Sequence, residues 1–87
     1  MPGLPNTLRK RIRDFEDRKI SAADLAREVH FTARELNGEM DGGLRRALER
    51  HGNRINVLTE RGLGGQLHGE VLAVVDEIVT ELVNSGY

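Results

Sequence analysis

Residues 69–84, GEVLAVVDEIVTELVN, decide the fold. They hold Val71, Leu72, Val74, Val75, Ile78, Val79, Leu82 and Val83, and Asp76, Glu77 and Glu81 interrupt the run at helical spacing. On a helix of 3.6 residues per turn the three acids share one narrow stripe and the apolar residues take the rest of the circumference. The many β-branched residues would also suit a strand. The length of the stretch argues for a helix. So do the adjacent acids, which a strand would place on opposite faces. A helix apolar over more than half its surface needs several partners. The expectation is an all-α domain, a small antiparallel four-helix bundle with its C-terminal helix most buried.

The bulk composition agrees. The chain has 87 residues and no cysteine. One core of that size is near the lower end of what folds without staples, and neither a disulfide nor a thiolate metal site is available. No segment reads as a signal-peptide core or a membrane span, so a cytoplasmic location is expected. One tyrosine, two phenylalanines and no tryptophan give little with which to stack on bases.

The net charge of −1 is unevenly spread. Residues 1–19 sum to +3, residues 20–62 to zero and residues 63–87 to −4. This dipolar layout suits the first helix packing near the last. It also offers a partner one basic and one acidic surface.

In chain order, residues 1–6 read as a flexible lead-in before a single domain over 7–87. Asn6 or Thr7 can cap a first helix over residues 8–19, with Leu8, Ile12 and Phe15 as a thin apolar stripe. Its basic run, Arg9 to Arg13, reads as a solvated face. Ser21 and Asp24 form a capping-box start for the second helix, whose apolar side is Leu25, Ala26, Val29, Ala33 and Leu36. Asn37-Gly38 is a stop. Asp41 can cap a third helix, whose seam is Leu44, Leu48, His51, Ile55 and Leu58 in 4-3-4-3 spacing. Gly52 interrupts that helix at a cost of about 1 kcal/mol, and a kink there is open. Gly62 ends it, and Gly62-Leu63-Gly64-Gly65 is a turn that lacks the flanking strand and Lys-Ser/Thr of a phosphate loop. Gly86 closes the fourth helix.

His30-Phe31-Thr32 admits two readings. If the helix continues, Phe31 points away from the apolar face, among Arg27, Arg34 and Glu35, and is a candidate partner-binding anchor. If it breaks, Thr32 to Glu35 is a capping box, Phe31 staples onto Leu36, and the segment looks like a helix-turn-helix. The continuous helix is favoured, because a helix from Thr32 would be stopped by Asn37-Gly38 after one turn. A DNA-binding regulator stays open as the alternative, although His30 replaces the usual turn glycine and the domain is not basic.

No catalytic constellation stands out. His30, His51 and His68 lack ligand spacing, and His51 in the seam reads as a satisfied core histidine. No cofactor and no metal is implied. The segment Thr7 to Asp14, TLRKRIRD, resembles the opening of small helical chorismate mutases, which hold a substrate carboxylate with an arginine of the first helix. Arg13 stands where that pattern has an acid, and the other residues of such a site find no place, so the chain is read as not an enzyme.

A longer resemblance runs from Phe15 through Lys19-Ile20-Ser21-Ala22 and Arg34-Glu35-Leu36-Asn37-Gly38 to the acidic-apolar last helix. It is similar to the small helical immunity proteins of the colicin D immunity type. That resemblance implies a bacterial, antitoxin-like inhibitor, a four-helix bundle that blocks a basic toxin or nuclease domain with acidic groups. The partner-binding candidates are Phe31, Arg34, Glu35, Glu39 and Asp41, with Asp76, Glu77 and Glu81 on the last helix. The resulting expectation is a non-catalytic protein-binding module with a protein partner. A homodimer is also open, because four short helices leave the last one thinly covered.

Overall fold

The computed structural model describes residues 4–36 and 42–86, and these form four α-helices. They are α1 (Leu4–Glu16), α2 (Ala22–Glu35), α3 (Gly42–Thr59) and α4 (Leu67–Asn84), with a short 3₁₀ turn, Gly64–Gln66, before α4. The expected all-α four-helix bundle is the fold. Glu39 and Asp41, the Asn37-Gly38 stop and the proposed Asp41 cap lie outside the described residues.

The first helix is shifted towards the N-terminus from its expected place. It starts at Leu4, so Asn6 and Thr7 are inside it. Pro5 sits in the first turn, where a missing N–H costs nothing. The helix also stops at Glu16 and does not reach Lys19. The cause is at Arg18, which adopts a left-handed φ of 62°. The Arg18 N–H then donates to the Phe15 carbonyl at 2.9 Å and the Lys19 N–H to the Asp14 carbonyl at 2.8 Å. This pair of bonds is a Schellman ending with arginine where glycine is usual. No glycine marked it in the sequence.

The corner closes as the sequence predicts. Asp24 N–H donates to Ser21 Oγ at 3.1 Å, and Ser21 N–H donates to Asp24 Oδ2 at 3.4 Å. α2 then runs unbroken through His30-Phe31-Thr32, with Leu36 as its C-cap. Its predicted apolar side, Leu25, Ala26, Val29, Ala33 and Leu36, is buried.

α3 also runs unbroken, without the kink that Gly52 left open. The glycine has a packing reason. A Cβ at position 52 would lie 2.7 Å from His30 Nε2, so the His30 ring of α2 takes this position against a residue without a side chain and would have to shift for any other. Beyond α3, Gly62 takes a φ of +68°, which a side chain resists.

The core draws on all four helices. Leu8, Ile12 and Phe15 of α1 meet Leu25 and Val29 of α2, Leu48 and Ile55 of α3, and Val71, Val74, Val75, Ile78 and Leu82 of α4 in one cluster. α4 starts at Leu67. Its apolar circumference is shared out: Leu72 and Val79 pack at the core's edge, while Val83 stays 59% exposed. α2 packs most extensively on α3, and α3 on α4, while α1 and α4 meet more thinly.

Candidate protein-binding surfaces

The candidate residues inside the described chain fall into two sets. On α2, Phe31, Arg34 and Glu35 sit at i, i+3 and i+4 and share one outer face. Phe31 is 42% exposed. With Arg34 it lines a groove of about 570 Å³ between α1 and α2, whose other walls include Arg11, Ile20, Arg27 and Glu28. Ion pairs tie part of that rim together. Arg11 Nε is 3.7 Å from Glu28 and Arg27 is 3.5 Å from Asp24. Arg34 makes no ion pair among the described residues.

The second set is Asp76, Glu77 and Glu81, which flank a small cleft on α4 with Thr80. The fold does not bring it to the Phe31 groove, which is built from α1 and α2. Two of the three acids are also engaged inside the molecule. Arg54 donates to Glu77 Oε1 at 2.9 Å. That hydrogen bond holds the Glu77 carboxyl below its ordinary pKa. Glu81 lies 3.9 Å from Arg50 and 3.7 Å from His51 Nε2. The acids of α4 thus face the arginines of α3. The first helix does pack near the last, as the charge layout along the sequence suggested, with the Phe15 and His68 rings stacked at 4.6 Å, while Arg11 of α1 lies across from Glu28 of α2.

His51 is buried, 1% exposed, but it is not the satisfied core histidine expected. Arg54 Nη1 approaches Nδ1 at 3.4 Å. Arginine can only donate, so Nδ1 accepts and Nε2 carries the proton. That Nε2 has no hydrogen-bond partner, because the nearest acceptor, Glu81 at 3.7 Å, is beyond hydrogen-bonding range. Burial is the main cause of a pKa lowered from the ordinary value, reinforced by Arg50 and Arg54 and opposed by Glu77 and Glu81. The imidazole is held neutral.

Among the described residues the Thr32 hydroxyl is also buried without a hydrogen-bond partner, inside the unbroken α2. The turn that a helix-turn-helix needs at residues 30–32 is therefore absent. Among the described residues, no group of three or more His, Asp or Glu is placed to hold a metal ion. No helix among them is long and apolar enough to cross a membrane. Among the described residues the exposed large apolar side chains, Phe31, Val57 and Val83, stand on three different helices.

One surface was missed by sequence reasoning. α3 presents Arg46, Arg50 and Arg54 at four-residue steps, and Arg61 continues their side beyond the helix end; these arginines line a groove of about 740 Å³ against α4. The spacing was visible, but the stretch 20–62 sums to zero charge and that sum hid it.

Fold and surface together define a small four-helix domain with two side grooves between helix pairs. Set against known protein families, curated proteins and solved structures, the chain matches none of them.

Proposed function

We propose that this chain is a non-catalytic protein-binding module, an inhibitor in the manner of small immunity proteins, which docks on its partner through the α2 face carrying Phe31, Arg34 and Glu35. The observation that carries the reading is the 42% exposure of Phe31 on a regular helix, beside a groove and next to an arginine without an ion pair among the described residues. Aromatic and arginine side chains dominate binding energy at protein interfaces. An exposed phenylalanine contributes little to the fold that holds it. The engagement of Glu77 and Glu81 by α3 moves the weight of the inhibitor reading from α4 to this face.

The test is a photo-crosslinking amino acid in place of Phe31, expressed in the native host, against the same label at Asn56 on α3. The expected result is one protein adduct at position 31 that resists nuclease treatment and is missing at position 56. Phe31→Ala should keep the thermal midpoint close to wild type and weaken the captured complex by about tenfold or more. The captured protein should also lose its activity when the wild-type chain is added. Identical adducts at both positions, or an adduct abolished by nuclease, would sink the reading.

A further inference from the structure

A groove of about 740 Å³ lies between α3 and α4 and shares no residue with the Phe31 groove. The ion pairs fix its register. Arg50 meets Glu81 and Arg54 meets Glu77, so four residues up α3 correspond to four residues down α4. The next step sets Val57 and Leu58 across from Ala73 and Val74, and the one after sets Arg61 across from Glu70. All six line the groove.

The two walls have opposite character. The α3 wall presents the exposed guanidinium groups of Arg46, Arg50, Arg54 and Arg61. Glu49, half-buried, is the one carboxylate on that wall. Arg46 and Arg61, one at each end, enter no ion pair among the described residues. The α4 edge carries Glu70, and Glu77 and Glu81 continue the same side of that helix. Between the walls the floor is apolar. Val57 is 48% exposed there, with Leu58 and Val74 beneath.

We propose that this groove receives an amphipathic helix of a partner protein, with its apolar seam on Val57, Leu58 and Ala73, carboxylates on the edge facing the α3 arginines, and a neutral or basic edge facing α4. From Arg46 to the end of α3 at Thr59 the wall runs for about 20 Å, with Arg61 just beyond, a length that a helix of about four turns fills. Anchors at i, i+3, i+4 and i+7 suit an apolar floor between two polar rims. A nucleic acid fits less well. Its phosphates would meet Glu49 and Glu70 inside the groove, and a sugar-phosphate chain has nothing to bury on the valines. The inference rests on the protein-binding reading only in the broad sense. Failure of the Phe31 crosslink leaves it standing, and its own failure leaves the Phe31 face standing.

The probes are two synthetic helical peptides about four turns long with the same leucine seam. One carries glutamates along one edge and glutamines along the other, and the second has lysines in place of the glutamates. Each is titrated into the full chain, with binding read from backbone amide shifts. The protein's net charge is −1, so general electrostatics favour the lysine peptide, and a preference for glutamate must come from the groove. The expected result is shifts at Val57 and Ala73 with the glutamate peptide, at an affinity about tenfold above the lysine peptide. Arg46→Glu together with Arg61→Glu should abolish that preference; both side chains are exposed. Equal affinities, a preference for lysine, shifts confined elsewhere, or no binding by either peptide would overturn the proposal. So would tighter binding of a short duplex DNA with a steep salt dependence.

Discussion

The two antiparallel helix pairs of this bundle are held by different means. α1 and α2 are locked at their corner by backbone geometry: the left-handed Arg18, its two hydrogen bonds, and the reciprocal bonds of Ser21 and Asp24. α3 and α4 are joined through a glycine-containing turn and are aligned along their length by side chains, with Arg54 on Glu77, Arg50 on Glu81, and His51 beneath them. The difference teaches that charge summed along a chain is a poor guide to charge across a seam. Between residues 42 and 61 there are five arginines against two glutamates, and four of those arginines line the side that meets α4. Glu77 and Glu81 of α4 find their counterions there, on the helix that precedes theirs in the chain.

If the α3–α4 seam rests on its buried face and the ion pairs only set its register, truncation inside it must cost far more than removing a charge. Ile78→Ala removes a fully buried side chain and should destabilise the fold by about 2–5 kcal/mol in urea titration. A loss under about 1 kcal/mol would mean that the seam collapses freely around the gap. On the other pair, Arg18→Gly should stabilise by about 1 kcal/mol, because glycine relieves the left-handed strain at a residue that is exposed. Destabilisation there would show that the arginine side chain, and not the backbone, holds the corner.

A smaller effect separates the pairs by pH. The folded pKa of His51 is lowered, so the unfolded chain takes up its proton first as pH falls below about 6.5. His51 therefore allows full stability above that pH and erodes it as pH drops towards its folded value. The thermal midpoint should decline across this window, and His51→Leu should flatten the decline. An unchanged slope in the variant would show that His51 is not the source of the decline. The smallest effect is expected for Glu77→Gln, which breaks a solvent-exposed ion pair. Its thermal midpoint should stay within measurement error, and a clear drop would make the ion pairs part of what holds α4.

Much of this was written in the sequence, for local reasons. The periodicity of residues 69–84, the 4-3-4-3 seam of α3, the capping box at Ser21 and the exposure of Phe31 each depend on helical spacing and on residues within one turn. Those readings need no knowledge of the neighbours. The immunity-type resemblance, the partner and the role of Phe31 rest on the experiments set out above. What local spacing could not supply was the set of neighbours. That Gly52 makes room for His30, that His51 is buried with an unpaired Nε2, and that Glu77 and Glu81 are engaged by arginines all follow from which helix lies beside which. The end of α1 at Arg18 escaped for another reason, since the left-handed residue there is not the glycine that usually announces it. A helix specifies its own faces through bonds and spacing a few residues long, whereas contacts between helices join residues tens of positions apart, and only the folded bundle chooses among them.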